Sequence, residues 1–149
     1  MKVKISQLSL FIGLLLLASN LIGQTTNSTW QKAFENHKVL FETQYFNCEI
    51  PKDGLYAEYV LVKLSNKTTE TVTVNWYTDT YYNNYCTNCD HNARDTKRSY
   101  TLKPNETITG SCEPGLNIGL KIFSKWLRMD NPKTLSHFEI SDITISNEQ

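Results

Sequence analysis

The sequence predicts an all-β protein, an antiparallel β-sandwich of about seven strands. Several short segments alternate apolar and polar residues, which is the period of a strand with one buried face. Turn-forming residues separate these segments about every 8–12 residues. No amphipathic helix lies between them, so the strand–helix–strand units of a parallel sheet are not expected.

The first 23 residues have the features of a secretory signal peptide. Two lysines give a charged start, and an apolar run over 8–17 is followed by small and polar residues. This run is shorter than the roughly 20 residues that a transmembrane anchor needs. Cleavage is expected after Gly23, with Ala18 and Asn20 as alternatives, and no cysteine near these positions could carry a lipid. We therefore expect an exported protein, periplasmic or secreted, with no membrane anchor in its mature form.

The mature chain is expected to be nearly neutral. Removing 23 residues from 149 leaves 126 and removes two lysines, so 13 Lys+Arg stand against 15 Asp+Glu, a net charge of −2. Nucleic acid and anionic membrane surfaces attract proteins with a basic face, so neither partner is expected. The length fits a single domain.

Residues 24–36 predict an N-terminal arm or a short helix ahead of the single domain at 37–149. Two of these residues have the spacing of a capping box. Three apolar residues would share one helical face: Trp30, Ala33 and Phe34.

The first half of the domain predicts three strands. Residues 39–45 alternate, and residues 56–64 are apolar on both faces, as in a central strand that is covered on two sides. Residues 71–77 alternate cleanly. Their inward-facing members are Val72, Val74 and Trp76. The polar turn at 65–68 joins the second strand to the third, so these two strands are expected to form a hairpin.

The second half predicts further strands at 99–102 and 106–112, separated by a turn. Residues 116–127 fit either a strand or a helix, and two glycines favour a strand in the first half of this range. Residues 138–145 form the last strand. Their alternation changes phase midway, which predicts a β-bulge at 141–142.

Three segments resemble the immunoglobulin-like and fibronectin-type sandwiches of exported bacterial proteins. They are Glu58–Asn66 (EYVLVKLSN), Thr71–Trp76 (TVTVNW) and Tyr100–Thr107 (YTLKPNET). The resemblance covers 39–146 and rests on the pattern of strands and turns, because the cysteine and tryptophan spacing of antibody domains is absent. It implies an architecture and no activity.

Four cysteines are candidates for two disulfides, because export places them in an oxidising compartment: Cys48, Cys86, Cys89 and Cys112. Four cysteines allow three pairings, and the sequence does not choose among them. One pairing joins Cys48 to Cys112 across the sandwich. Cys86 and Cys89 then form a small local ring.

Two other interpretations of these cysteines stay open. Cys86, Cys89 and His91 could bind zinc with Cys48 or Cys112 as the fourth ligand, whereas strong zinc signatures contain two Cys-x-x-Cys pairs. Alternatively, Cys86 and Cys89 could be a thiol-redox pair, whereas such pairs are activated at a helix N-terminus that this sequence lacks. The alternative function is therefore a small zinc-binding or thiol-redox protein centred on Cys86, Cys89 and His91.

Segment 77–92 is the candidate binding loop because it is rich in tyrosine and asparagine. Tyrosine gives a large contact area at low entropic cost and asparagine gives adaptable hydrogen bonding, as in binding loops on sandwich scaffolds. The competing interpretation is that these aromatic residues pack the end of the sandwich. The candidate binding residues are Tyr77, Tyr81, Tyr82, Asn83, Asn84, Tyr85 and Asp90.

Other chemistry-bearing residues give weaker signals. Arg94, Lys97 and Arg98 form a small basic cluster that is typical of a solvated turn. We find no nucleophile elbow, phosphate-binding glycine loop or carboxylate pair, and no cofactor is expected. The sequence thus predicts a non-enzymatic exported protein that binds a protein or a glycan through 77–92.

Overall fold

The structure is a computed structural model that describes residues 29–89 and 97–147. All strand pairs in these two ranges are antiparallel, and the same ranges contain no α-helix, which confirms the predicted all-β class. It follows that neither range holds a helix long and apolar enough to cross a membrane. The predicted signal peptide at 1–23 lies outside the described residues.

The first sheet is built around a central strand, β3. Numbered in chain order, its strands are β1 (Gln31–Glu35), β2 (Val39–Ile50), β3 (Leu55–Asn66), β7 (Thr107–Thr109) and β8 (Lys121–Trp126). β2 pairs along one side of β3, while β7 and β8 share the other side. This confirms the central position that was predicted from the apolar residues on both faces of β3.

The second sheet is built around β4. Its strands are β4 (Val72–Tyr82), β5 (Tyr85–Cys86), β6 (Lys97–Leu102) and β9 (Leu135–Asn147). β9 pairs along one side of β4, while β6 and β5 pair with successive parts of the other side.

The two sheets share one hydrophobic core. The Phe41 ring from β2 meets the Trp76 ring from β4 edge to face at 5.1 Å, and Trp76 stacks on Tyr100 of β6 at 5.7 Å. Aromatic pairs of this kind contribute about 0.5–1.5 kcal/mol beyond the area they bury. The predicted inward residues of β4 are all buried: Val72, Val74 and Trp76.

β3 and β4 do not form the predicted hairpin, because they lie in different sheets. Asn66, which is 3% exposed, fixes the crossing between the sheets. Its Nδ2 donates to the carbonyl oxygens of Glu70 (2.7 Å) and Lys103 (2.8 Å), and its Oδ1 accepts from the amide of Thr68 (2.9 Å). A hairpin and a crossing use the same turn residues, so the turn sequence alone did not distinguish them.

Residues 31–35 form the edge strand β1 rather than the short helix that was one alternative for 24–36. β1 pairs with β2 through an irregularity between Lys32 and Phe34, and the Phe34 ring meets Phe41 at 6.1 Å. An isolated helix this short is unstable in water, whereas pairing with β2 satisfies backbone groups. Residues 24–28 lie outside the described residues.

Two strand boundaries in the second half differ from the prediction. The strand expected at 106–112 is limited to β7, and the strand within 116–127 occupies its second half as β8 instead of its first. Residues 118–120 form a 3-10 turn that follows Asn117 at φ 47°. The chain therefore turns before it enters β8. The turn begins with the left-handed backbone conformation of Asn117, which the pattern of apolar residues does not show.

The predicted bulge in the last strand is confirmed. Asn75 pairs with Thr144 and Tyr77 pairs with Ser141, so β9 has an extra residue at this point. Asp142 there has φ 49°. The bulge lets four isoleucine and phenylalanine side chains on either side of it pack against the core: Phe138, Ile140, Ile143 and Ile145.

Candidate functional site

Much of the predicted binding loop is a β-hairpin. β4 extends to Tyr82, the chain turns at Asn83 and Asn84, and Tyr85 begins β5. The two asparagines have φ of 50° and 67°, the positive values that a tight two-residue hairpin turn requires. We call residues 81–89 the hairpin tip. Asp90 and His91 lie outside the described residues.

Hydrogen bonds fix the turn of the hairpin tip to β9 and the loop before it. The amide of Asn83 donates to the carbonyl oxygen of Thr134 at 3.2 Å. The amide of Asn84 donates to Oγ of Ser136 at 2.9 Å, and this hydroxyl donates in turn to the carbonyl oxygen of Tyr81 at 2.9 Å. These hydrogen bonds hold the turn against β9 and the loop before it.

The Cys86–Cys89 ring holds an asparagine against β4. The two cysteines lie at disulfide distance, with Cα atoms 5.9 Å apart. Within the ring, Asn88 Oδ1 accepts from the amide of Thr80 (2.8 Å) and Asn88 Nδ2 donates to the carbonyl oxygen of Thr78 (2.6 Å). These two backbone groups face the gap that β5 and β6 leave beside β4. The Asn88 amide therefore takes the place of a missing strand, and the ring has a structural function.

The second cysteine pair, Cys48 and Cys112, also lies at disulfide distance, with Cα atoms 5.4 Å apart. Cys48 and Cys112 are thus paired as one of the predicted alternatives had it, but the bridge does not cross from one sheet to the other. Cys48 belongs to β2 and Cys112 follows β7, so the bridge joins two parts of the first sheet. The unbroken β2–β3 register places Cys48 on the face opposite to the core residue Phe41.

These pairs bear on the zinc and redox interpretations. Cysteines joined in a disulfide are not the thiolates that zinc needs, and no group of three His, Cys, Asp or Glu in the described ranges is arranged to hold a metal. His91, the third proposed ligand, lies outside those ranges. Disulfide pairs are typical of proteins from an oxidising compartment.

The tyrosines of the predicted loop point to different surroundings. Tyr82 packs inward: its hydroxyl donates to the carbonyl oxygen of Phe123 at 2.6 Å, and Lys133 Nζ lies 4.9 Å from the centre of its ring. Burial raises the pKa of Tyr82, and the nearby phenol of Tyr59 adds to the increase. Tyr82 therefore fits the packing interpretation.

Tyr77 and Tyr81 lie on the opposite, outward face of β4 and are half-buried. Tyr81 packs beside the imidazole of His137, with ring centres 5.4 Å apart. Tyr85 differs from both because it is 80% exposed. Its cross-strand partner is Tyr82, so the two side chains are neighbours on one face of the hairpin.

A polar cleft of about 160 Å³ opens beside the hairpin, between the two sheets. The residues of β4, β6 and the Cys86–Cys89 ring that line it are Thr78, Thr80, Tyr82, Asn88 and Arg98. The other wall consists of Gly119, Lys121, Ile122 and Phe123, and no described residue of the lining is acidic.

The sequence did not single out Arg98 as a site residue. Lys97 and Arg98 lie in β6, so they are not part of a solvated turn as the basic cluster suggested. Arg98 shares the inward face of β6 with Tyr100 and Leu102, whereas Lys97 lies on the outward face. In the sequence, Arg98 stands two residues before Tyr100 and four before Leu102, and this period of two could have placed Arg98 on the inward face. Arg94 lies outside the described residues.

Comparisons of the chain with protein-family models, with curated proteins and with solved structures find no significant match.

Proposed function

We propose that this protein is an exported, non-enzymatic β-sandwich of the immunoglobulin-like type that binds a protein or a glycan through the hairpin tip. The observation that carries the proposal is the exposure of Tyr85, at 80%, on a hairpin that is otherwise fixed. A tyrosine held in this way offers a large contact area and loses little conformational entropy when it binds.

The surroundings of Tyr85 support a binding surface. The turn asparagines Asn83 and Asn84 are exposed and can form hydrogen bonds with a partner. On the other face of the hairpin, the half-buried Tyr81 packs beside the exposed His137. Aromatic rings next to amide groups suit both protein partners and sugar rings.

The architecture and location in the proposal have their own support. Two antiparallel sheets share one core, which is the arrangement of a sandwich. The two cysteine pairs favour a periplasmic or extracellular location, where disulfides persist. Intact mass and sequencing of the protein recovered from the periplasm and the medium test the location. Recovery with residues 1–23 attached, from the cytoplasm alone, would contradict export.

Binding is tested with Tyr85→Ser on an array of oligosaccharides and extracellular proteins. Phe46→Ser is the matched control, because Phe46 is an exposed aromatic residue (42%) of the first sheet. We expect Tyr85→Ser to weaken the binding of any array ligand by about tenfold or more, with unfolding free energy within about 0.5 kcal/mol of wild type. The control should bind normally.

The competing packing interpretation makes a different prediction. If Tyr85 stabilises the end of the sandwich, Tyr85→Ser lowers the melting temperature and leaves the binding of the folded fraction unchanged. Equal losses of binding for Tyr85→Ser and Phe46→Ser would also contradict the proposal, because they would place the contact surface outside the hairpin tip.

A further inference from the structure

The side chain of Arg98 lines the polar cleft, and none of the described residues that line it with Arg98 is acidic. It forms no hydrogen bond or ion pair with any residue in 29–89 or 97–147. Gly119 makes room for it, since a Cβ on Gly119 would lie 2.9 Å from Arg98 Cδ. Lys121 also lines the cleft, and its Nζ lies 5.3 Å from the centre of the Tyr59 ring. A cleft lined by a guanidinium and by no described acidic residue attracts an anion.

Four of the other lining residues carry hydrogen-bonding side chains, and the apolar residues Ile122 and Phe123 complete the wall opposite them. Thr78 and Thr80 contribute hydroxyls. Asn88 uses one amide hydrogen for the carbonyl oxygen of Thr78 and retains a second. The hydroxyl oxygen of Tyr82 donates its hydrogen to Phe123 and can still accept. The lining thus offers both hydrogen-bond donors and acceptors in the same cleft as Arg98.

The size of the cleft limits what it can hold. Its volume of about 160 Å³ is below the roughly 300–1,000 Å³ of sites that enclose a whole drug-sized ligand. One unit of a longer molecule is the appropriate size. Tyr85 is the cross-strand neighbour of Tyr82, which lines the cleft, so the next unit would lie against the exposed Tyr85 ring.

From these observations we infer that the cleft is a subsite for one uronic acid unit of an acidic glycan. The inference rests on the proposed function, since it names the class of ligand for the same hairpin tip. The carboxylate would accept two hydrogen bonds from the guanidinium of Arg98, the geometry that arginine favours. The ring hydroxyls would pair with Thr78, Asn88 and Tyr82.

The lining favours a sugar over the acidic side chain of a peptide. A glutamate side chain presents methylene groups behind its carboxylate, and these would leave the hydroxyl and amide groups of the cleft without partners. Unpaired polar groups in a closed contact oppose binding. A uronic acid presents hydroxyls on adjacent carbons, and these hydroxyls can form hydrogen bonds with the hydroxyl and amide groups of the cleft.

The test is calorimetric titration of the full exported chain with trimers of galacturonate, mannuronate and glucuronate, each alongside its methyl ester. The ester removes the charge and retains the sugar. We expect at least one acid trimer to bind about tenfold or more tightly than its ester, and less tightly as salt is raised. Absence of binding by all three acids, or equal binding of acid and ester, would overturn the inference. So would tighter binding of an oligoglutamate peptide.

Two variants locate the effect. Arg98→Gln should weaken the acid trimer about tenfold or more, whereas Lys97→Gln makes the same charge change on the opposite face of β6 and should leave affinity unchanged. Equal effects of the two variants would overturn the subsite. The acid–ester comparison on the wild-type protein keeps the test decisive if Arg98→Gln fails to fold. If the acid trimers fail these tests but Tyr85→Ser still abolishes the binding of a neutral array ligand, only the uronic acid subsite is refuted and the proposed function stands. If neither Tyr85→Ser nor Arg98→Gln affects any ligand, the proposed function fails too.

Discussion

The two disulfides should contribute unequally to stability, because they close loops of very different length. Cys48 and Cys112 are 64 residues apart in sequence, whereas Cys86 and Cys89 are 3 apart. On the chain-entropy model, closing the long loop destabilises the unfolded chain by ~4 kcal/mol at 25 °C, and closing the short ring by ~1.5 kcal/mol. A domain has only about 5–15 kcal/mol of unfolding free energy in total, so loss of the Cys48–Cys112 bridge removes a large share of it.

The perturbation is a pair of double variants, Cys48→Ala/Cys112→Ala and Cys86→Ala/Cys89→Ala. The short-ring variant also loosens Asn88, whose amide satisfies two backbone groups of β4. This adds about 1 kcal/mol for each hydrogen bond that is lost. We therefore expect a loss near 4 kcal/mol for the first variant and a smaller loss of about 2.5–3.5 kcal/mol for the second.

The assay is equilibrium unfolding in urea, followed by tryptophan fluorescence, to which the buried Trp76 contributes. Peptide mapping of the unreduced wild type gives the pairing independently. Equal losses, or a larger loss for the short-ring variant, would refute the chain-entropy reasoning. A peptide that links Cys48 to Cys86 or to Cys89 would refute the pairing itself.

Three further predictions concern individual contacts. Gly110→Ala should destabilise by about 1–3 kcal/mol in urea unfolding, because its Cβ would lie 2.9 Å from the carbonyl carbon of Leu120; an unchanged midpoint would refute the close approach. Asn88→Ala should cost about 1–3 kcal/mol for each unpaired backbone group, and Asn88→Asp should also destabilise, because a carboxylate oxygen in place of Nδ2 cannot donate to the carbonyl oxygen of Thr78; wild-type stability of either variant would count against the amide bridge. Because the folded pKa of Tyr82 is raised, its stabilisation is full below pH about 10 and is lost as pH rises through the folded pKa. Tyr82→Phe should remove that part of the alkaline decline, measured as melting temperature between pH 8 and 11, and an identical profile would contradict it.

The sequence predicted the elements whose side chains alternate against the core. Val72, Val74 and Trp76 have period two because one face of β4 is buried, and all three are buried in the structure. The change of phase in β9 predicted the bulge at 141–142 for the same reason. Where one face is apolar and the other polar, the pattern determines which side chains face inward.

The pattern failed where polar side chains decide the structure. β4 continues through Thr78 and Thr80 without an aliphatic residue, because the Asn88 amide supports its edge in place of a strand. The crossing from β3 to β4 depends on buried hydrogen bonds of Asn66 to residues distant in sequence. Such long-range bonds leave no periodic signal, so both segments were assigned incorrectly.

The candidate site was predicted in part. The tyrosine and asparagine content of 77–92 drew attention to the hairpin, but composition does not tell which tyrosine is exposed. Tyr82 is packed inward while its partner Tyr85 is open to solvent, and that difference arises from strand pairing. Arg98 lies beside them only because β6 pairs with β4.

We propose that the hairpin tip and the adjoining cleft together form the binding surface. A backbone amide NMR titration with the array ligand that binds most tightly tests this claim. We predict chemical-shift changes concentrated at residues 81–89 and at Arg98, with the outer face of the first sheet unaffected. Changes concentrated on β2 or β3, with the hairpin tip silent, would contradict the claim.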